Sequence, residues 1–293
     1  MAEIIQRDGS WAFDGGTVRI TPGLHRSVPL FRQTYGEVAV PLEAVSGIVY
    51  EPERKRGRLR LRLREGADPL LQATGGRLPD AADPYRLTVD IDRSGVAEYL
   101  AEEIRHALLL DQVPKEPAKA YLLPGPPVPV SVRSSDGMVS FDGTQVRIDW
   151  ADTADRVKRA TGPRIISTQD LVQVDWLPNS GYEDGFMRFV TRGTVFSKLP
   201  PEKDPYALDL WGSARRDLLT ALVATAVTAR LPHPSTRAVD YVEQARLSPA
   251  VPPHSDHHDV LLRRLRELGE LHREGVLTDE EFAATKAAVL RSF

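Results

Sequence analysis

The chain has no cysteine in 293 residues. That excludes disulfides, cysteine nucleophiles and thiolate-bound zinc or iron–sulfur centres. Long apolar runs are also missing: none approaches the roughly 18 residues that a bilayer-spanning helix needs. Met1 to Asp8 lack a basic segment followed by an apolar one, so no secretory signal is expected and a cytoplasmic location is the default. Neither charge sign dominates. The net charge of −3 counts against a nucleic-acid binder, as does the absence of aromatics interleaved with basic residues. Lysine is scarce, 7 against 31 arginines, which reflects codon usage in a GC-rich genome more than chemistry. The phosphate-cradling, dinucleotide-binding, zincin and nucleophile-elbow signatures are all absent. No catalytic residue, cofactor or metal is therefore expected. What remains is ordinary globular composition, 41% hydrophobic and 27% charged, at a length suited to roughly two domains of about 150 residues.

An internal repeat organises the chain. Phe13-Asp14-Gly15 recurs as Phe141-Asp142-Gly143, and Val18-Arg19-Ile20 as Val146-Arg147-Ile148, both at an offset of 128. Asp83-Pro84-Tyr85 recurs as Asp204-Pro205-Tyr206 at an offset of 121, and the lost residues read as surface-loop variation. Within each copy the pattern is first that of strands. Trp11 to Ile20 reads as a hairpin around an Asp-Gly turn, where positive φ is needed. Leu59, Leu61 and Leu63 alternate with Arg58, Arg60, Arg62 and Arg64, the period of a half-buried strand. Tyr85 to Ile91, Val139 to Ile148, Leu171 to Trp176, Phe186 to Thr191 and Tyr206 to Leu210 read likewise. The period then changes to that of a helix. Val96, Leu100, Ile104 and Leu108 lie four apart, and Leu218, Leu219, Leu222, Val223 and Val227 form one amphipathic helix in the second copy. Each copy is thus an α+β domain, an antiparallel sheet closed by a C-terminal helix.

Such a sheet of about seven strands, capped by one helix at roughly 100 residues, resembles the pleckstrin-homology-like (PH-like) fold. With the Phe-Asp-Gly and Asp-Pro-Tyr anchors, residues 3–232 resemble an actinobacterial family of tandem PH-like domains, the domain-of-unknown-function family 4429. The resemblance implies a binding scaffold rather than an active site. The expected organisation is a PH-like domain at 1–112, a Pro-rich linker at 113–128 and a second PH-like domain at 129–232. A Pro- and His-containing linker follows at 233–258.

Residues 259–293 read as a helical hairpin. Leu261, Leu265, Leu268 and Leu271 share one stripe of a first helix, which Gly275 ends. Thr278 and Glu281 form a capping box that opens a second helix carrying Phe282, Lys286, Val289 and Leu290. This resembles the SHOCT module, the short C-terminal domain of many bacterial proteins, and the resemblance implies oligomerisation or protein association. A hairpin of about 35 residues is too small to be stable alone, so its stripe needs the rest of the chain or a second copy. Self-association through Leu261, Leu265, Leu268, Leu271, Phe282 and Leu290 is the expectation, with docking within the same chain as the alternative.

One basic patch stands out. Arg54, Lys55, Arg56, Arg58, Arg60, Arg62 and Arg64 fall on one turn and strand, a candidate surface for an anionic membrane or an acidic protein partner. Attraction to an anionic surface is about 1 kcal/mol per nearby cation. The bland alternative is a solvated sheet face whose arginines pair with acidic neighbours. The matching region of the second copy, Asn179 to Gly185, is acidic, which would allow head-to-tail contact between copies or reflect drift of two surface loops. His254, Asp256, His257, His258 and Asp259 resemble a metal cluster by composition, but a Pro-rich linker gives them no rigid frame. Trp11, Trp150, Trp176 and Trp211 read as core or sheet-face residues. The expected function is a non-enzymatic cytoplasmic adaptor that self-associates and binds a protein partner. The alternative is a peripheral binder of anionic membrane surfaces at the inner face of the membrane.

Overall fold

The two repeated aspartate anchors lock turns. Asp14 Oδ1 accepts from the amides of Gly16 and Thr17 at 3.0 and 2.8 Å, and Asp142 Oδ1 accepts from Thr144 and Gln145 at 2.7 and 2.8 Å. Gly15 and Gly143 supply the positive φ between them, 106° and 109°. Asp83 and Asp204 each cap the amide two residues on, Tyr85 and Tyr206, at 2.9 Å. The same local chemistry therefore builds the same corners twice.

The computed structural model describes residues 2–194 and 199–236. The first half begins with β1 (Ala2–Gln6), β2 (Gly9–Phe13), β3 (Thr17–Pro22), a short helix α1 (Leu30–Tyr35) and β4 (Val38–Pro41). These four strands form one antiparallel sheet in chain order. β5 (Val45–Glu51), β6 (Arg56–Leu63), α2 (Pro69–Thr74) and β7 (Arg86–Asp90) follow, the strands forming a three-stranded antiparallel sheet, and α3 (Ser94–Leu110) closes the half. The second half repeats the order. β8 (Val130–Arg133), β9 (Gly137–Phe141), β10 (Gln145–Trp150), α4 (Arg156–Ala160) and β11 (Arg164–Ser167) give the four-stranded sheet. β12 (Leu171–Leu177), β13 (Gly185–Thr191) and β14 (Ala207–Leu210) give the three-stranded one, followed by α5 (Ala214–Asp217) and α6 (Thr220–Thr228).

Alternation places Trp11, Phe13, Val18, Ile20, Leu59, Leu61, Leu87 and Val89 inside the first half. Val139, Phe141, Val146, Ile148, Trp176, Met187, Phe189 and Leu208 do the same in the second. The closing helices differ. α3 buries Ala97, Leu100, Ala101 and Ile104 on one stripe and leaves Glu98, Tyr99, Glu102 and Glu103 exposed. α6 is not amphipathic, contrary to expectation: all nine of its residues are buried.

The reason is α2. The β6–β7 connection is 22 residues long and the β13–β14 connection 15, so the whole seven-residue difference between the anchor offsets falls there. In the first half those extra residues belong to a stretch that carries α2, and α2 packs on α6 and β12. What reads as loop variation is a helix that covers the outer face of α6.

Further contacts join the halves. In the intervening segment, the amides of Ala118, Leu122 and Leu123 donate to Glu65 O and Ala67 O at 2.7–3.2 Å, and Leu123 is buried. His233 Nε2 meets the Gly66 carbonyl at 2.9 Å, and its ring packs edge-on against Tyr121 at 4.7 Å between centroids. One hydrophobic core runs through both halves. Among the described residues no helix is long and apolar enough to cross a membrane. The C-terminal stretch 237–293 lies outside the described residues, and with it Leu261, Leu265, Leu268, Leu271, Phe282, Leu290 and the histidine cluster.

Candidate functional site

The basic patch is built by strand alternation. In β6, Gly57, Leu59 and Leu61 point inward, so Arg56, Arg58, Arg60 and Arg62 are exposed on the opposite face. Arg54 and Lys55 sit exposed in the preceding turn. The seven cations are not equivalent. Arg56 lies 3.3 Å from Asp90, and Arg58 pairs with Glu53. Arg64 turns away and donates to the carbonyls of Glu116 and Glu43, both at 2.9 Å. Arg54, Lys55, Arg60 and Arg62 have no ion pair among the described residues, so they form the free part of the surface.

The corresponding hairpin of the second half presents Tyr182, Glu183 and Asp184 to solvent. Its base is fixed by Asn179, whose Nδ2 donates to Gly212 O and Asp217 Oδ2, both at 3.1 Å. Trp11 and Trp176 are core residues, and Trp176 Nε1 donates to Thr220 Oγ1 at 2.9 Å. Trp150 is half-buried. Trp211 is 44% exposed, because it lies one residue beyond β14 and outside the packed face.

Beside the arginine row lies a cleft of about 420 Å³. Four arginines line it: Arg32 from α1, Arg58 and Arg60 from β6, and Arg86 from β7. Asp8, Glu51 and Asp80 contribute carboxylates, Ser27 and Thr88 hydroxyls. Arg86 is committed to Asp80 at 2.5 Å and Asp83 at 3.0 Å. Arg32 is different. It is only 4% exposed, yet among the described residues neither Nε nor Nη2 has a hydrogen-bond partner. Burial pulls its pKa below the usual guanidinium value, while the nearby Asp8 and Asp83 pull it the other way.

The repeat supplies an internal reference for this site. Asp8 directly precedes β2 as Asp136 directly precedes β9. Arg32 is the third residue of α1 and Lys158 the third of α4, each eight residues before the strand residue that pairs with Val18 or Val146. In the second half this pair is made: Lys158 Nζ meets Asp136 Oδ2 at 2.5 Å, and Lys158 is fully buried. Asp136 Oδ2 also accepts from the Asp209 amide at 2.9 Å, and the Lys158 ammonium lies 5.1 Å from the centre of the Trp150 ring. Arg188, at the position of Arg60, faces Asp204 at 2.8 Å. In the first half Arg32 and Asp8 both line the cleft and Asp8 acts on the guanidinium by its charge, but the two make no ion pair.

Sequence reasoning passed over Arg32 because a lone arginine after Leu30-Phe31 carries no motif. The signal was available in the repeat: Asp8 recurs as Asp136 at the anchor offset of 128.

Residues 11–105 and 139–228 match the family described as a domain of unknown function, DUF4429, and residues 263–290 match SHOCT, the short C-terminal domain. No curated protein matches the chain. The first match falls on the sheets and closing helix of each half in turn. The chain thus belongs to the DUF4429 family, carries that domain in tandem, and bears a SHOCT domain near its C-terminal end.

Proposed function

We propose that the chain is a non-enzymatic adaptor that self-associates through its C-terminal segment and presents its two sheet-built halves to a protein partner. The observation that carries this reading is the SHOCT match over residues 263–290, which coincides with the stripe of Leu265, Leu268 and Leu271 and with Phe282 and Leu290. Four strands, then three, then a closing helix, repeated in each half, support a PH-like scaffold. A scaffold alone does not define a partner. Arg54, Lys55, Arg60 and Arg62 favour one that is acidic, because they are exposed and without an ion pair among the described residues.

The same four cations favour a second reading, a peripheral binder of anionic membrane surfaces. Co-sedimentation of the full chain with neutral and with anionic vesicles, at low and high salt, divides the two. An adaptor stays in the supernatant with both. Salt-sensitive pelleting with anionic vesicles alone overturns the protein-partner reading in favour of the membrane one.

A further inference from the structure

We propose that the groove along the free edge of β8 is a docking site for an extended, acidic segment of a partner protein, which joins the four-stranded sheet of the second half as a fifth strand. The site rests on the adaptor reading, since it names the kind of segment that a partner presents.

β8 is the end strand of its sheet and pairs with β9 alone among the described strands. The turn after it fixes which way its backbone groups point, because the Ser134 amide donates to Gly137 O at 2.8 Å. Bonded residues of an antiparallel pair recur at every second position, so Val130 and Val132 bond to β9. Ser131 and Arg133 therefore turn their amides and carbonyls to the open edge. Both residues are exposed, and among the described residues neither has a backbone hydrogen bond on that side. Such an edge is a template for another strand. The counterpart edge in the first half is tied to its neighbours. There β1 lies against α3 and β7, and Gln6 Oε1 accepts from the Asp90 amide at 3.2 Å. At the position of Gln6 the second half has Ser134, whose hydroxyl turns back on the Gly137 carbonyl at 3.2 Å.

The groove beside this edge sets the chemistry of the segment. It measures about 530 Å³ and is walled by α1, α5 and α6. The closing helix of the second half is broken between Asp217 and Thr220, whereas α3 is continuous. Leu30, Val130, Leu219 and Leu222 make the lining largely apolar. Arg133 and Arg216 are exposed on it and have no ion pair among the described residues. Asp217 is the one carboxylate on the lining; it is buried, and its Oδ2 accepts from Asn179 Nδ2 and the Gly212 amide, both at 3.1 Å. A neighbouring cleft of about 410 Å³, which shares Leu30, adds exposed Arg26 and Arg215 and no carboxylate. The surplus of accessible charge is therefore positive. Strand alternation then dictates the pattern of the incoming segment. Side chains on one face meet the apolar lining, and those on the other stand beside Arg133, where an opposite charge across strands is favourable. At about 3.3 Å per residue β8 offers roughly 13 Å of edge, a match for about four residues.

The experiment titrates the full chain into a short, blocked, fluorescent peptide in which valine and glutamate alternate, and follows amide hydrogen exchange by NMR. The expected result is a saturable rise in anisotropy and slowed exchange at the Ser131 and Arg133 amides. Arg133→Glu combined with Arg216→Glu should weaken binding at least tenfold, since both side chains are exposed and the fold does not depend on them. Two peptides keep the protein unchanged: one with every second amide N-methylated should not bind, and one with lysine in place of glutamate should bind at least tenfold more weakly. Equal binding of either control peptide, unaltered exchange at Ser131 and Arg133, or protection at the β5–β6 turn instead would overturn the proposal. So would binding that appears only after residues 259–293 are deleted, which would make the groove the seat of the chain's own tail. Exchange at the two amides that slows with protein concentration, without peptide, would assign the groove to a second copy and overturn it as well. Peptide binding by a chain that light scattering finds monomeric would sink self-association and leave the groove standing, and an oligomer that ignores the peptide would do the reverse.

Discussion

Lys158 and Arg32 hold equivalent positions in the two halves, but among the described residues only Lys158 makes an ion pair, with Asp136 at 2.5 Å. The pair is buried, so its value lies mainly in what happens when one member is lost. Lys158→Met leaves Asp136 buried and without its cation, although the Asp209 amide still donates to it. The expected cost is about 3–5 kcal/mol, read from the urea midpoint at constant slope. A variant as stable as the parent would mean that water reaches Asp136 and the pair is not closed.

The packing of α2 on α6 ties the halves into one cooperative unit. Calorimetry of residues 1–237 should show a single transition. An isolated second half, 129–236, loses the cover that α2 gives α6 and should bind a hydrophobic dye or aggregate. Two separated transitions in the tandem body, or a well-behaved second half alone, would contradict this.

Gly66 sits where the halves touch. Its φ is 76°, and a Cβ there would lie 3.0 Å from both Ala118 O and His233 Nε2. Gly66→Ala should therefore cost about 1–3 kcal/mol through backbone strain and crowding, measured by thermal melting. Gly76, with a φ of 68° and open space around it, is the control that separates strain from crowding.

Stability should fall as pH rises from about 4 to about 6. Burial raises Asp68 to about 6, against hydrogen bonds from the Leu70 amide, the Tyr85 hydroxyl and the Leu71 amide that lower it. The folded chain then holds a proton that the unfolded chain, with an ordinary value of 3.8, has released. Asp209, also raised to about 6 by burial, acts in the same direction. For the fully buried Asp68 the effect is about 3 kcal/mol across the window. Asp68→Asn should flatten the profile between pH 4 and 6 while still capping α2. An unchanged slope would place the titration elsewhere.

Changing Arg54, Lys55 and Arg56 together to Glu should alter stability by about 0.5 kcal/mol per site, because all three are exposed and the Arg56–Asp90 pair is a solvent-facing one. Any salt-sensitive binding to an acidic partner or an anionic vesicle should disappear. Retained binding at low salt would remove the β5–β6 turn from the interface.

Much of the architecture was legible because turns and strand periods are local. The anchors at Asp14, Asp142, Asp83 and Asp204 announce corners that each aspartate makes with its own neighbours. The arginine face of β6 was legible for the same reason. The role of α2 was not, because Pro69–Thr74 is six residues long and its burial depends on α6, far away in the chain. The burial of α6 on all sides follows from that distant contact. Arg32 was hidden for a related reason: its environment is made by four separate segments, and only comparison with Lys158 reveals what is missing beside it.

Self-association through the C-terminal segment is the central claim, and light scattering tests it most directly. The full chain at tens of micromolar should scatter as an oligomer. Deleting residues 259–293, or changing Leu265 and Leu268 to Asp, should return it to the monomer mass of 32.5 kDa or its truncated equivalent, because an unpaired carboxylate is costly in an apolar contact. A full chain that is already monomeric under those conditions would contradict the account.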